Sequence, residues 1–496
     1  MSAYQQLEDT RKRIAALNNA LGILHWDQET MMPEGAAPAR AEVLAELQLM
    51  VHELQTDAAL PDLLDAAEAT SNTLDDWQRA NLREMRHRYL HANAVPGDLV
   101  QHIVRARSES QMTWRRARPD NDFAALAPKL DALFQLKREE AAIKSEVLGV
   151  TPYEALLDEF DPGRREAHID AIFDDLGAYL PPTIARIRER QAAAPAPLVP
   201  AGPFPLAAQE ALSREIMQVL DFPFDRGRLD TAAHPFSGGA EGDVRITTRY
   251  SEADFVQSLM AVIHETGHAL YEDGLPEAWR GQPVGESRGM TLHESQSLLL
   301  EMQAARSEEF LRFLAPLVRQ VLGGNGAAWE PDNLVRLYRK VEPGLIRVFA
   351  DEVTYPLHVI LRYRLEKAIV SGDIATGDLP GAWNDAMQEL LGICPPDDRD
   401  GVMQDIHWPE GILGYFPTYS LGAMTAAQLF ATATRGEPGI LPGLAKGDFK
   451  PLYRWLDTNI RSRGCLYTPD ELIEQASGQP LGTAAYKATV ERRYLG

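Results

Sequence analysis

Apolar positions recur at three- and four-residue steps over most of the chain, the period of helices with one buried face. From Tyr4 to about Met31, the residues Leu7, Ile14, Leu17, Leu21 and Leu24 fall on such a face, and Pro33 and Gly35 end the pattern. Comparable patterns run over about Ala37–Leu54, Leu74–Leu90, Gly97–Trp114 and Phe123–Leu148. Most breaks carry Pro, Gly or Asn. No fixed period repeats, so these are separate helices and not a solenoid. Ala192 to Pro205 is dense in proline, cannot be helix interior, and reads as a connector. Beyond it, Val244 to Tyr250 alternates with β-branched residues behind a Gly238-Gly239 turn, so about Arg228–Tyr250 is strand territory. Helices resume at Ser251, where Ser251 and Asp254 suggest a capping box. They continue over about Thr291–Leu314, Ile346–Val370, Gly381–Leu391 and Ala423–Ala433. The expected fold class is all-α with a small β-sheet insert.

Composition narrows the function. The chain has 496 residues, 45% hydrophobic and 24% charged, which excludes disordered and fibrous classes. Against 72 acidic residues stand 49 basic ones, and the net charge of −23 disfavours any phosphate backbone, so no nucleic-acid partner is expected. Two cysteines, Cys394 and Cys465, are too few for a disulfide scaffold and read as reduced thiols. The N-terminus lacks a basic start and an apolar core, and no apolar run would span a bilayer. A cytoplasmic protein with no membrane partner is expected.

The chemistry concentrates at His264-Glu265-Thr266-Gly267-His268. Histidines at i and i+4 on a helix lie one turn apart on one face and can converge on one metal ion, with Glu265 beside them to act on metal-bound water. A hydrolytic zinc site needs a third protein ligand and an open position. The extended pattern with a further His fails, since that position is Gly274. Glu272 would put three ligands along about 12 Å of one helix, too far to converge. A second helix must supply the ligand, and Glu286, Glu294 and Glu301 are the candidates. Glu294 stands in the polar run His293-Glu294-Ser295-Gln296 at the start of an apolar helix. The rival reading makes Thr291 and Glu294 a capping box.

Other clusters have two readings each. His234-Pro235-Phe236 is a loop just upstream of the metal helix. Asp243, Arg245 and Thr247 share one strand face, either a solvated edge or an edge that pairs with a peptide. Arg347 and Asp351 are four apart on a predicted helix and would pair with each other. Gly414 to Tyr419 reads as an aromatic loop whose phenols, Tyr415 and Tyr419, suit a substrate wall or an oxyanion donor.

Together these motifs resemble the thermostable carboxypeptidase 1 family, the Taq-type metallocarboxypeptidases. The matching stretches are His25–Thr30, His234–Phe236, Asp243–Thr247, His264–His268, His293–Gln296, Ile346–Tyr355 and Gly414–Tyr419, in the family's order along residues 1–496. Pro356 stands where the family has Asn and is expected to kink its helix. The resemblance implies His264, His268 and Glu294 as ligands of one divalent ion, zinc or cobalt, and Glu265 as general base. It implies one domain over 1–496, an elongated helical body with a deep groove similar to neurolysin and angiotensin-converting enzyme. Residues 1–191 would wall the groove and 206–496 would carry the metal site. It also implies release of C-terminal amino acids from peptides with broad preference, and a homodimer. A substrate carboxylate is best held by a buried Arg. Arg347, Arg245 and Arg249 are candidates, with the first two inside the family's motifs, and His234, Tyr415 and Tyr419 complete the expected substrate contacts. An oligoendopeptidase with the same metal site, or a metal-bound scaffold without turnover, are the alternatives.

Overall fold

Helix α1 (Ala3–Thr30) starts on a reciprocal cap, in which Ser2 Oγ accepts from the Gln5 N–H and the Gln5 side chain accepts from the Ser2 N–H. It is followed by α2 (Ala37–Gln55), α3 (Leu60–Ala69) and α4 (Asp76–Ala94) in a computed structural model that describes residues 1–496. These four helices close two small cores, one around Tyr4, Leu64 and Met85 and one around Ile14, Leu44 and Val51. Next come α5 (Gly97–Asp120) and α6 (Phe123–Leu148), which pack on each other, then α7 (Pro152–Leu157) and α8 (Glu166–Ala192). The proline-dense stretch is non-helical as expected, and the backbone of Leu198 is held at both N–H and C=O by Asn333.

After α9 (Leu206–Val219) the chain forms the β insert: β1 (Gly227–Thr231), β2 (Ser237–Ala240) and β3 (Asp243–Thr248). The order is β1-β3-β2, with β1 parallel and β2 antiparallel to β3. This corrects two expectations. Gly238-Gly239 lies inside β2 and is not the turn before the strand; α1 comes close to β2 through its own Gly22, where a Cβ would meet the Gly239 carbonyl oxygen. And β3 is the central strand, so the Asp243–Thr247 stretch offers no free edge either to water or to a peptide. Leu229, Val244 and Ile246 bury against Met217, Val262 and Ala269, which seats the sheet on the helices around it.

The remaining helices are α10 (Val256–Asp273), α11 (Gly289–Leu298), α12 (Glu308–Val321), α13 (Pro331–Tyr338), α14 (Tyr355–Ser371), α15 (Leu379–Leu391), α16 (Phe416–Gly436), α17 (Ile440–Leu444), α18 (Lys450–Asn459), α19 (Pro469–Ser477) and α20 (Ala484–Val490). Together with α5–α9 they share one core of 81 buried residues, against seven and four in the cores of α1–α4, so the site lies in the part of the chain with the deepest burial. The architecture is the expected one, mostly helical with a small mixed sheet. No helix is long and apolar enough to cross a membrane.

Four boundaries differ from expectation. α10 begins at Val256, because Ser251 and Asp254 form an isolated bridge and Asp254 Oδ1 accepts from the Val256 N–H. The predicted Thr291–Leu314 helix is two: α11 runs into a π-helical turn, Leu299–Ala304, and Ser307 caps α12 anew. The predicted Ile346–Val370 helix has a 3₁₀ turn at Arg347–Phe349, and Asp351 Oδ1 then accepts from the Val353 and Thr354 N–H groups, which holds off α14 until Tyr355. Pro356 therefore sits in the first turn of α14, where a missing N–H costs nothing, and produces no kink. Lastly, Phe416 to Tyr419 is not loop but the start of α16.

Candidate metal centre

α10 is buried nearly all round, so its imidazoles cannot be a solvated surface pair. His264 and His268 stand one turn apart with ring centroids 4.9 Å apart and planes at 82°. α11 lies against α10 and brings Glu294 to them. Glu294 Oε2 is 3.5 Å from His268 Nε2 and 3.8 Å from His264 Nε2, and one ligating atom from each residue lies within 4.8 Å of the others. Two glycines permit this approach. A Cβ on Gly267 would stand 2.6 Å from Ser297 Cα, and a Cβ on Gly422 would stand 2.8 Å from Glu294 Cγ. Thus α10 and α16 close on α11 from two sides because these positions have no side chain.

The donors fit a divalent ion of the zinc type. Tetrahedral ligands about 2.1 Å from a common ion stand roughly 3.4 Å apart, near the separations found here. The outer ring nitrogens are already engaged: His264 Nδ1 is 3.0 Å from Glu301 Oε2, and His268 Nδ1 is 3.1 Å from the His293 carbonyl oxygen. With Nδ1 engaged in each ring, both Nε2 atoms face the shared space. Arg306 steadies Glu301 from behind at 3.3 Å.

The local charge also calls for a cation. Glu265, Glu294 and Glu301 are three carboxylic acids in one buried region. Burial, with the Glu294 carboxylate adding to it, pushes Glu265 up to about 7. Burial likewise raises Glu294, with Glu301 adding and His264 opposing. His268 is pushed well below its ordinary value by burial and by its histidine neighbours.

The other candidate acids have partners elsewhere. Glu286 makes a bidentate pair with Arg88, at 2.7 and 2.5 Å. Glu301 backs His264 from the Nδ1 side. Glu272 meets His293 Nε2 at 2.9 Å. The capping-box reading of Glu294 fails too: α11 starts on Arg288 with no side-chain cap, and the Thr291 hydroxyl donates to Asp161.

Arg347, Tyr355, Tyr415 and Tyr419 form one cluster, the Tyr419 ring lying 5.2 Å from that of Tyr415 and 6.3 Å from that of Tyr355. The Arg347 charge is a minor opposition to the rise of the Glu294 carboxyl, and the Glu294 charge adds to burial in raising the hydroxyls of Tyr355, Tyr415 and Tyr419. The Arg347 guanidinium lies 4.7 Å over the Tyr419 ring. It pairs not with Asp351, as spacing suggests, but with Asp405: Nε and Nη2 reach Oδ1 at 3.2 and 3.0 Å, while Nη1 has one long contact, 3.5 Å to the Tyr355 hydroxyl. Arg245 stands apart, paired with Asp243 at 2.9 and 2.5 Å and stacked 4.3 Å over Trp26. His234 is exposed on the β1–β2 loop, its carbonyl accepting from Thr247 at 3.3 Å, and Arg249 is exposed after β3. No hydrogen bond or ion pair ties His234, Arg245 or Arg249 to the His264 cluster.

Sequence reading missed Tyr355, Arg362, Asp405 and His407. Arg362 Nε donates to Asp405 Oδ2 at 2.7 Å, and His407 Nε2 is 3.2 Å from the Tyr419 hydroxyl. Burial, aided by the two arginines, pushes His407 down to about 4, so it is neutral. The available signal was Gln404-Asp405-Ile406-His407-Trp408, an acid, an imidazole and an indole in a stretch without helical period.

The family model described as carboxypeptidase Taq (M32) metallopeptidase matches residues 6–494. The chain is 36% identical to thermostable carboxypeptidase 1 of Thermus thermophilus, over 99% of its own length and 98% of that protein's. It is 33% identical to carboxypeptidase 1 of Bacillus subtilis, covering 95% and 94%. Among solved structures it is similar to metallocarboxypeptidase 1 of Trypanosoma cruzi, with a TM-score of 0.97 and 41% identity over 100% of this chain and 99% of that one. The Pyrococcus furiosus carboxypeptidase gives a TM-score of 0.94 at 32% identity, over 100% and 99%.

Proposed function

The chain belongs to the carboxypeptidase Taq (M32) metallopeptidase family and is a metal-dependent carboxypeptidase, and on that premise we propose that His264, His268 and Glu294 hold its divalent ion while Glu265 is the general base. When bound, such an ion acidifies a water and polarises the scissile carbonyl. Glu265 takes the proton from the attacking water and returns it to the leaving amine. Tyr415 or Tyr419 donates to the developing oxyanion. Burial holds both hydroxyls protonated, Tyr419 up to about 12.

Arg347 takes the free carboxylate of the peptide. Asp405 occupies its Nε and Nη2 edge and orients it, which leaves Nη1 for the substrate. Arg245 and His234, on the sheet side, contact the rest of the chain being cut. The side-chain preference is broad, since the polar groups assigned here address backbone and terminus.

The whole chain 1–496 acts as one domain, with 1–191 walling a groove and 206–496 carrying the ion. Val100, Val104 and Met112 expose an apolar stripe along α5 that supports a homodimer, to be checked by sedimentation. A cytoplasmic site of action agrees with two unpaired cysteines.

The observation that carries this reading is the pair of Nε2 atoms and one carboxylate facing a common space. The test is digestion of a mixed peptide set, read by mass spectrometry, with chelator and metal add-back. Ladders shortening from the C-terminus, abolished by chelator and strongly slowed by C-terminal amidation, are expected. Internal cuts in amidated peptides at undiminished rate would make the protein an oligoendopeptidase instead.

A further inference from the structure

A second pair of histidines one helical turn apart lies outside the centre described above. His87 and His91 project from α4, with ring centroids 4.6 Å apart at 60°. Asp158, directly after α7, faces both: Oδ2 is 2.5 Å from His87 Nε2 and 2.9 Å from His91 Nε2. As in the first centre, two imidazoles at i and i+4 meet one carboxylate from another segment, and one ligating atom of each lies within 4.8 Å of the others.

The surroundings are those of a ligand set. Asp158 Oδ1 accepts from the Gly163 N–H at 2.7 Å, which turns Oδ2 toward the rings. Glu159 Oε1 is 3.8 Å from His91 Nδ1, a buried nitrogen with no hydrogen-bond partner, in the position of the outer carboxylate that orients a metal-bound imidazole. Glu159 is itself held by Lys144. Counting Glu140 and Lys137, three carboxylates and two ammonium groups surround the two imidazoles.

We propose that His87, His91 and Asp158 form a second divalent-cation site, of imidazole–carboxylate chemistry suited to zinc, which ties α4 to the loop after α7. Their present spacing is that of hydrogen bonds, whereas ligands about 2.1 Å from an ion stand roughly 3.4 Å apart. His87, with a side-chain exposure of 26%, is the ligand that would swing back by that difference. The first centre needs no such opening, so the second binds its ion more weakly. An ion here would also brace the first centre. Two residues beyond Asp158, the Phe160 carbonyl accepts from the Met290 N–H at 2.7 Å, and Asp161 accepts from the Thr291 hydroxyl at 2.8 Å. Both contacts hold the first turn of α11, which carries Glu294.

The test is a Zn²⁺ titration of the chelator-stripped full chain by calorimetry, with metal analysis after gel filtration. Two equivalents are expected, one tighter than the other. His87→Gln and Asp158→Asn should each lose only the weaker one, and His264→Ala only the tighter one. The two sets of variants report on separate centres, so failure of this site is distinguishable from failure of the catalytic assignment. Thermal melts establish that each variant is folded, and if His87→Gln does not fold, Asp158→Asn carries the test. A single equivalent in the unaltered protein, or a second equivalent retained by either folded variant, overturns the proposal.

Discussion

Arg347 and Asp405 are paired at 3.0 Å across 58 residues of sequence, and the carboxylate of Asp405 serves a second buried guanidinium, that of Arg362. Two cations on one anion leave a net positive charge among aromatic rings. Arg362 lies 4.5 Å over Trp383 and Arg347 4.7 Å over Tyr419. Burial works against the Asp405 carboxylate, yet the two arginines hold it well below the usual carboxylate range.

Removing that anion strands both arginines. Asp405→Asn should cost on the order of 3–5 kcal/mol, the usual penalty for breaking a buried pair from one side. Urea denaturation of the full chain measures it. A loss below about 1 kcal/mol would mean the guanidinium groups find other partners.

The free edge of Arg347 predicts a substrate-dependent loss. Arg347→Ala should lower kcat/KM on free-acid peptides by roughly 30–100-fold, the worth of a charge-assisted hydrogen bond of about 2–3 kcal/mol. Cleavage of amidated peptides should change far less. Equal losses on the two substrates would remove the carboxylate-clamp assignment.

Glu265→Gln keeps the size of the side chain and leaves the three donors in place. Metal content should stay unchanged while kcat falls at least about 100-fold. A smaller fall would assign the proton transfers to another group.

The support around the donors is also testable. Glu301→Gln removes the carboxylate facing His264 Nδ1 and should weaken metal binding about 10–100-fold. Gly422→Ala should weaken it as well, because the new methyl meets the Cβ and Cγ of Glu294 at 2.9 and 2.8 Å. Competition with a chromophoric chelator gives both values. Unaltered affinity in both variants would show that the first three donors need no backing.

Stability should fall as pH rises from about 4.5 to about 7 because of Glu366. Burial pushes this carboxyl up to about 7 despite hydrogen bonds from Gly414, Trp408 and Tyr153. A folded-state value above the ordinary 4.5 means that between about 4.5 and 7 the folded chain binds more protons than the unfolded one. Stability from this group is present below that window and is lost across it, by roughly 3 kcal/mol at about 1.4 kcal/mol per unit. Melting curves from pH 5 to 8 should show a shallower decline in Glu366→Gln than in the unaltered chain. Identical slopes would refute the assignment.

Much of this was legible along the chain. Phe123–Leu148 is helical over the predicted range, since a sustained apolar period on a well-capped segment needs little outside help. The joints were less legible. Around Asp254 and Asp351, an aspartate side chain accepts from backbone N–H groups ahead of a helix and sets its first residue. Such a bond has no period to betray it. The Arg347–Asp351 pair was misread for the same reason: spacing of four implies contact only if the helix between them is continuous, and there it is a 3₁₀ turn and a bend.

Local spacing by itself determined that His264 and His268 share a face with Glu265 beside them, because helix geometry does this without reference to the rest of the fold. It also determined the helical class and the place of the β insert. Tertiary structure alone decided which acid meets the imidazoles. Spacing favoured Glu294 over Glu286 and Glu301 but left a helix cap as its rival role, and the close packing of α11 between Gly267 and Gly422 brings Glu294 to the rings. It likewise brought Asp405 and His407 to Arg347 and Tyr419. Contacts between distant segments depend on how whole helices pack, and that packing leaves no repeating mark in the order of residues.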